Sequence, residues 1–488
     1  MRNQKTYHRC LWVKRDNSQT ANFVGIRRIR ALAGIVLCLV LGVSGCKRVE
    51  NENTEIRIET VSQESLDYPD AEINVPDSLK SEFISNFFKP WNIAADAMAN
   101  AAAALPGKEV VYLNDYLNDE TWYGENKKAH KKWQREALVS NIDLASFPNF
   151  LNRGIVVRHT NLRRIPTNRP GFDRYSKAGE GFPFDYFQET NLWANTPLQL
   201  VHLSNDKQWC YVLSPYYKGW VQMHDIGLVD DDFIRQWTTQ AYAMPLSDSL
   251  TLASPNSQYA LNAKMGMVLP YEASEDPGRV RAFYVNTDEN QYANLLKAEL
   301  PKRHLAFDDL NLDSASLALL VSQFVERPYG WGGNLENRDC SSLIRDLLGT
   351  YKIWLPRDSK DQIELGQKIE LTGSSEEKMQ RIKENGIPFL TLLRKSGHNM
   401  LYVGTSENGE PLILHAIWGL KTSYTNAHLA DYIERYPIEG IHQDEDGTLK
   451  GRYVIGEAVI TPVTIGSGTG ITTPLIDEIY AMTNVLEY

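Results

Sequence analysis

The sequence predicts a multidomain α+β protein with a helical N-terminal segment, two small β-barrels and a C-terminal α+β domain. Three observations support this prediction. The 488 residues are enough for about three domains. Apolar residues recur at helical spacing before residue 150, and short apolar runs separated by turn residues follow. The last third of the chain mixes both patterns. The predicted boundaries are 1–46 (export signal), 47–76 (flexible tether), 77–149 (helical domain), 150–229 (first barrel), 230–302 (second barrel), 303–463 (C-terminal domain) and 464–488 (tail).

Composition and charge exclude several classes of protein. The chain is 42% hydrophobic and 23% charged, which is ordinary for globular domains and excludes widespread disorder. The formal net charge is −10, and it becomes −17 without the first 45 residues, which hold eight Lys/Arg and one Asp. Since phosphate binding needs a basic face, nucleic acid is not an expected partner.

The first 46 residues have the pattern of an export signal. Arg27, Arg28 and Arg30 precede an uncharged apolar run, 31–43, that is too short to span a bilayer, which needs about 20 residues. The run leads through Ser and Gly to Cys46. This ending resembles the lipobox of bacterial lipoproteins, which implies lipidation of Cys46 and anchoring of the exported chain to a bacterial membrane. The alternative is a plain signal peptide with an incidental cysteine.

The segments after the signal differ in composition. Residues 47–76 are polar and are predicted to form a flexible tether. Residues 77–149 are predicted to be mainly helical, and to brace the rest of the chain, because aromatic and apolar side chains recur at helical spacing near their start. These side chains are Phe83, Ile84, Phe87 and Phe88.

Two small barrels are predicted from strand density between 150 and 302. The stretch 208–221, QWCYVLSPYYKGWV, resembles the ending of bacterial SH3-like modules. A second barrel rests on weaker runs at 266–270 and 280–285. Cys210 lies between aromatic residues in an alternating strand, so a buried and inert thiol is expected there.

The C-terminal domain carries the candidate chemistry. A glycine-rich aromatic loop, 328–333, precedes Asp339, which can cap a helix whose first turn holds Cys340. The pKa of a thiol falls at a helix N-terminus and beside an imidazolium, which favours the reactive thiolate. His398 and His415 lie on two predicted neighbouring strands, where one can accept the thiol proton and the other can orient it. The order Cys, His, polar residue is that of papain-like peptidases.

Metal binding is the competing use of Cys and His. The sequence has no C-x-x-C and no H-E-x-x-H pattern, so neither a metal nor another cofactor is expected. Five cysteines in a chain of this length do not make a disulfide framework.

The C-terminal motifs resemble those of the NlpC/P60 cell-wall peptidases. The matching stretches are PYGWGG at 328–333, DCSSL at 339–343, LPRDSKDQ at 355–362 and GHNMLYVG at 397–404. The third polar residue of the family falls on His415. Two departures concern the shape of the pocket: Ser342 stands where the family often has Gly, and the histidine strand has His-Asn-Met where His-Val-Gly is commoner. The whole mature architecture resembles the subgroup with a helical stabilising domain and two SH3-like domains.

This resemblance implies an activity and a substrate. Members cleave the bond between γ-D-glutamate and a diamino acid in peptidoglycan stem peptides, with Cys340 as nucleophile, His398 as base and His415 as its orienting partner. In this subgroup a clamp binds the free amine of an N-terminal L-alanine, so released muropeptides would be the substrates. The residues that the resemblance assigns to this substrate pocket are Asp339, Ser341, Asp358, Ser359, one of Tyr216 and Tyr217, and an acid that is Glu189 or Glu180.

Three alternatives remain open on the sequence. The first is an endopeptidase on intact peptidoglycan, with the SH3-like domains as wall anchors. The second is a non-catalytic, membrane-tethered wall-binding lipoprotein, which the presence of Cys340, His398 and His415 disfavours. The third is an acyltransferase on the same papain-like core. Peptidoglycan-derived peptides and a membrane are the expected partners, and the chain is expected to be a monomer.

Overall fold

The protein is described from a computed structural model, which covers residues 59–69, 73–93, 112–118, 122–175, 177–424, 438–443, 447–469 and 472–486. All of these residues belong to one unit, 54–488. No helix in this part of the chain is both long and apolar enough to cross a membrane. The predicted signal and Cys46 lie outside the described residues.

The described N-terminal helices pack against the cores of the other domains. They are α1 (Asp77–Phe87), a helical segment at 112–118 and α2 (Lys132–Ile142). Phe83 and Phe87 of α1 pack with Trp237 and Phe283 of the second barrel. The segment 112–118 and the end of α2 pack against the first barrel. The aromatic residues at helical spacing therefore face the barrels, in line with the predicted bracing role.

The first barrel is a seven-stranded antiparallel sheet with strand order β3-β2-β6-β5-β4-β1-β7. A core of β-branched, leucine and aromatic side chains fills it, and Cys210 on β5 is fully buried, as expected for an inert thiol. Burial raises the pKa of this thiol to about 12. The strands are β1 (Asn152–Val156), β2 (Thr160–Arg163), β3 (Gln188–Leu192), β4 (Pro197–Leu203), β5 (Trp209–Leu213), β6 (Lys218–Gln222) and β7 (Ile226–Leu228).

The second barrel follows helix α3 (Asp231–Thr238). A five-stranded sheet of order β13-β12-β11-β8-β14 and a separate hairpin of β9 and β10 enclose its core. The strands are β8 (Ala241–Pro245), β9 (Leu250–Ala253), β10 (Ala260–Ala263), β11 (Leu269–Ala273), β12 (Arg279–Thr287), β13 (Ala293–Pro301) and β14 (Leu305–Ala306).

The C-terminal domain is a seven-stranded sheet of order β15-β21-β16-β17-β18-β20-β19 with helices on both faces. Alternate residues of β17 supply the two faces: Leu401 and Val403 pack with α4 and α5, whereas Met400 and Tyr402 pack on the side of α7. The helices are α4 (Ser314–Phe324), α5 (Cys340–Gly349), α6 (Ser359–Gln362), α7 (Ser375–Asn385) and α8 (Leu475–Glu478). The strands are β15 (Lys368–Glu370), β16 (Thr391–Lys395), β17 (His398–Thr405), β18 (Pro411–Tyr424), β19 (Ile438–Gln443), β20 (Leu449–Pro462) and β21 (Ala481–Asn484).

Two predicted boundaries are wrong. The tether at 47–76 is not flexible over its described part, because Leu66 and Val75 are buried in the core of the C-terminal domain and the backbone N–H of Val61 donates to the carbonyl of Ile460. A few buried apolar residues are enough to hold this otherwise polar segment against the C-terminal domain. The tail at 464–488 is part of the same domain, since β21 pairs with both β15 and β16.

Candidate active site

The first residue of α5 is Cys340, and Asp339 caps this helix as predicted. The Asp339 carboxylate accepts the backbone N–H of Ser342 at 2.9 Å, and the Ser342 hydroxyl accepts the backbone N–H of Asp339 at 3.0 Å. This reciprocal pair is a capping box, so Ser342, a departure from the family pattern, contributes to the start of the helix. The buried Cys340 thiol therefore lies at the positive end of a helix dipole.

A buried arginine occupies most of the remaining bonding capacity of Asp339. Arg357 forms an ion pair with Asp339, and it also donates to the hydroxyls of Ser341 at 2.7 Å and of Thr190, on the first barrel, at 2.8 Å. The backbone N–H of Gly332 donates to the same carboxylate at 3.1 Å. Asp339 and Ser341 do reach the cavity, but their polar atoms bind protein groups that hold the loop, the helix and the barrel together.

The two histidines contact each other as the strand register requires. His398 opens β17 and His415 lies on β18, and the His398 Nε2 is 2.9 Å from the His415 Nδ1. The His415 Nε2 is 3.2 Å from the Thr461 hydroxyl oxygen on β20. If His398 donates its Nε2 proton to His415, then His415 carries its own proton on Nε2 and donates it to Thr461. This tautomer leaves the His398 Nδ1 as an acceptor for a thiol proton.

Burial keeps the resting groups neutral. It raises the pKa of the Cys340 thiol to about 11, and the Asp339 charge acts in the same direction. Burial also lowers the pKa of His398 well below its usual range, with the positive charge of Lys395 adding to the effect, and lowers that of His415 to about 3. The expectation of a lowered thiol pKa is therefore wrong for the free enzyme, because desolvation outweighs the helix dipole.

The second departure from the family pattern ties the histidine strand to the segment after Arg357. The amide nitrogen of Asn399 donates to the Ser359 carbonyl at 2.8 Å and to the Gln362 side chain at 3.0 Å. The backbone N–H of Asn399 also opposes the rise of the Cys340 pKa, which locates the thiol beside the start of β17. Asn399 thus positions two walls of the site relative to each other.

A cavity of about 500 Å³ contains these groups and lies between the C-terminal domain and the first barrel. Cys340 and His398 line it, together with Asp358, Ser359 and Tyr329. The first barrel lines it with Arg164, Gly179, Phe184, Tyr186, Gln188, Glu189 and Tyr217. The cavity can therefore accommodate a short peptide beside the thiol.

Two carboxylates, Asp358 and Glu189, line the cavity near Tyr217. Asp358 stands at the N-cap position of α6, but its side chain makes no capping bond, and burial raises its pKa. The Tyr217 hydroxyl is close enough for the charges of Glu189 and Asp358 to raise its pKa. Glu189 forms an ion pair with Arg164.

Two of the predicted alternatives are resolved by position. Tyr216 does not line the cavity: its ring stacks on Trp354, with centroids 5.1 Å apart, and the Arg345 guanidinium lies 4.4 Å over it. Neighbouring residues of the β5–β6 turn face different surroundings, so Tyr217 is the tyrosine at the site. Glu180 binds the Tyr186 hydroxyl at 2.9 Å and does not line the cavity either, which leaves Glu189 as the acid from the barrel.

Sequence reasoning missed three groups of the site. Arg357 stood inside the matched LPRDS stretch without an assigned role, and its place before Asp358 was the available signal. Thr461 lies 46 residues after His415 and is brought to it by sheet pairing, which no local pattern reveals. Lys421 and Arg452 also line the cavity. Across the described ranges, no cluster of three or more His, Cys, Asp and Glu could hold a metal ion.

Comparison with known proteins identifies the same domains. Family profiles match residues 35–147 (NLPC_P60 stabilising domain, N term), 170–222 (SH3 domain, SH3b1 type), 230–275 (SH3 domain of SH3b2 type) and 326–436 (NlpC/P60 family). A comparison with curated proteins found no significant match.

Two solved structures are similar to this chain. A novel NlpC/P60 endopeptidase from Photobacterium damselae subsp. piscicida is 25% identical with a TM-score of 0.74, over 89% of this chain and 98% of that one. An NlpC/P60 family protein from Bacillus cereus ATCC 10987 is 14% identical with a TM-score of 0.44, over 68% of this chain and 99% of that one. The domain matches and the Cys340 site agree, and the chain therefore belongs to the NlpC/P60 family of cysteine peptidases, with an N-terminal stabilising domain and two SH3 domains.

Proposed function

We propose that this peptidase hydrolyses the γ-D-glutamyl–diamino acid bond of peptidoglycan stem peptides whose N-terminal L-alanine is free. The supporting observation is a cavity that is lined by the Cys340 thiol, by His398 and by two carboxylates, Glu189 of the first barrel and Asp358, which both lie near Tyr217. A peptide ammonium is the complement of such carboxylates. In the bond sequence of the peptide, the γ-glutamyl carbonyl lies one residue from that amine.

The reaction follows from the groups at the thiol. The Cys340 sulfur attacks the γ-glutamyl carbonyl while its proton passes to the His398 Nδ1, and the imidazolium that forms is stabilised by His415. The backbone N–H of Cys340, at the helix start, donates to the oxyanion. His398 then protonates the leaving amine, and water hydrolyses the thioester with His398 as base. The neutral resting pair requires the proton transfer to accompany the attack.

The amine clamp excludes attached substrates. The Asp358 carboxylate makes no capping bond to α6 and is half-buried, so its raised pKa falls when an ammonium pairs with it. An L-alanine joined to muramic acid has no positive charge and would leave the Asp358 carboxylate without a partner. The proposed role is therefore the processing of released muropeptides in cell-wall recycling.

The test is hydrolysis of two peptides side by side by the purified protein. One is L-Ala-γ-D-Glu-meso-diaminopimelate, and the other is the same peptide acetylated on its L-alanine. Cleavage of the free peptide alone is the expected result. Equal cleavage of both would remove the clamp and favour an endopeptidase on intact peptidoglycan, and cleavage of neither would reject the proposed bond.

Two matched pairs of variants separate the roles. Cys340→Ala is expected to abolish turnover, whereas Cys210→Ala, which also removes a buried thiol, retains it. Asp358→Asn is expected to raise the KM of the free peptide about tenfold or more, because a charge-assisted hydrogen bond is lost. The difference in kcat/KM between the free and the acetylated peptide should become smaller. Asp361→Asn, an exposed neighbour on α6, serves as its control.

We also propose that Cys46 carries a lipid that anchors the exported chain to a bacterial membrane. The support is the sequence alone: the basic cluster, the short apolar run and the small residues before Cys46. Metabolic labelling with a fatty acid is expected to mark the wild-type chain and not Cys46→Ser. A labelled Cys46→Ser variant, or an unlabelled wild type found in the soluble fraction, would contradict the assignment.

A further inference from the structure

Two cations of the C-terminal sheet line the cavity. Lys421 on β18 and Arg452 on β20 are direct partners in the antiparallel register, and both line the cavity. Like charges placed directly opposite each other in a sheet are destabilising. A bound anion between them would offset this repulsion.

The strand register places these cations beyond His398. The register of β17 and β18 puts His398 opposite Ile417, and β18 continues from there along the cavity wall to Lys421. The charge of Arg452 also lowers the pKa of His398. The carboxylates of Asp358 and Glu189, in contrast, act on Tyr217. Because the protonated His398 donates to the leaving amine, the part of the substrate that departs with this amine extends toward the cations.

Lys421 is the cation that is open to a ligand. Its side chain is exposed, and no hydrogen bond or ion pair to another described residue is present. Lys395 is already paired with Glu478. Arg452 is held in place, since its guanidinium lies 5.9 Å from the ring of Phe184 and donates to the Gly419 carbonyl at 3.3 Å. One fixed and one adjustable cation thus face the same end of the cavity.

The first barrel bounds this end of the cavity. The ring of Phe182 lies edge-on to Trp418, with centroids 6.0 Å apart. Gly179 lies so close to Arg452 that a Cβ there would be 2.6 Å from its guanidinium, and a Cβ on Gly440 would be 2.6 Å from Ala178. The space between the barrel and the sheet is therefore narrow, which suits a small charged group.

We propose that Lys421 and Arg452 form a carboxylate subsite for the leaving diamino acid, which favours a diamino acid with a carboxylate on its side chain, such as diaminopimelate, over lysine. This inference rests on the proposed function. The same chemistry is supplied by the C-terminal carboxylate of the peptide, so the substrates must distinguish the two sources. Together with the Asp358 and Glu189 carboxylates, the subsite matches a short peptide with a positive start and a negative end.

The experiment compares three peptides with the full-length protein: L-Ala-γ-D-Glu-meso-diaminopimelate, L-Ala-γ-D-Glu-L-Lys, and the C-terminal amide of the second. The diaminopimelate peptide is expected to have a kcat/KM about tenfold higher than the lysine peptide, and Lys421→Met is expected to remove this difference through KM. Lys383→Met, an exposed lysine on α7, is the control and should keep it.

Other outcomes of these experiments test the subsite separately from the proposed function. Slower cleavage of the amide than of its parent, abolished by Lys421→Met, supports a subsite that binds the terminal carboxylate. Equal kinetics for all three peptides in wild type and Lys421→Met would overturn the subsite and leave the proposed function standing. Binding of the diaminopimelate peptide to Cys340→Ala, measured by calorimetry, tests the subsite without turnover. If the Cys340→Ala, Lys421→Met double variant binds this peptide with the same Kd as Cys340→Ala, the subsite is overturned. If the wild-type protein cleaves none of the peptides, the proposed function is overturned.

Discussion

The hydroxyl of Thr461 is expected to control which nitrogen of His415 carries the proton. Thr461 is fully buried, and its oxygen is 3.2 Å from the His415 Nε2. Thr461→Val keeps the shape of the side chain and removes the acceptor. The Nε2 proton is then buried without a partner, which costs about 1–3 kcal/mol. The ring avoids this cost by moving its proton to Nδ1, where it donates to His398 and turns the His398 proton toward the thiol.

This change lowers the population of the competent tautomer. Since 1.4 kcal/mol is a factor of ten, a cost of about 1–3 kcal/mol lowers kcat about 5- to 140-fold. The KM is expected to stay within about twofold, because Thr461 does not line the cavity. The assay is steady-state hydrolysis of the free-amine peptide, with thermal unfolding measured on the same sample.

Thr422→Val is the matched control. Thr422 lies on β18, is equally buried, and its hydroxyl oxygen has no hydrogen-bond partner in the described structure. The same substitution there should leave kcat unchanged. A full kcat in Thr461→Val, or an equal loss in both variants, would refute the tautomer argument.

Three further predictions concern the surroundings of the thiol. Arg357→Gln leaves the Asp339 carboxylate buried and without its ion-pair partner, so the free energy of unfolding in urea should fall by about 3–5 kcal/mol. Arg357→Lys should recover part of this loss, and an unchanged urea midpoint in Arg357→Gln would contradict the ion-pair role. Gly333→Ala, at φ 79°, brings a Cβ within 2.5 Å of the Asn191 Cβ, so it should lower both Tm and kcat/KM, and a wild-type Tm would argue against this close contact. Because the Cys340 pKa is raised to about 11, the thiolate fraction should grow about tenfold per pH unit between 7 and 9, as measured by the alkylation rate with iodoacetamide, and a rate already level at pH 7 would contradict it.

Local signals in the sequence were enough for the parts of the site that lie within one element. Asp339 before Cys340 predicted a capped helix, and alternating runs at 397–404 and 411–417 predicted the two strands that carry His398 and His415. These features depend on neighbouring residues, so their spacing in the sequence carries the information.

Contacts between distant segments could not be predicted in the same way. Thr461 and the paired cations reach the site through the register of β18 and β20, which a single sequence does not specify. The sign of the thiol pKa shift depends on burial by the first barrel and the loop, and therefore on the assembled domains. The tether prediction failed because Ile73 and Val61 pair with segments 239 and 399 residues further on, at Leu312 and Ile460.

The position of β21 makes the order of synthesis matter. This strand, among the last residues of the chain, inserts between β15 and β16, and Met482 and Val485 enter the two cores that flank the sheet. Strands β16 to β20 can pair with one another as they emerge, but β15 has no partner until the end of the chain is available. A chain that stops about ten residues early would carry Cys340, His398 and His415 and still have an open sheet. Closure of the sheet therefore waits for a strand that follows all three of these residues in the sequence.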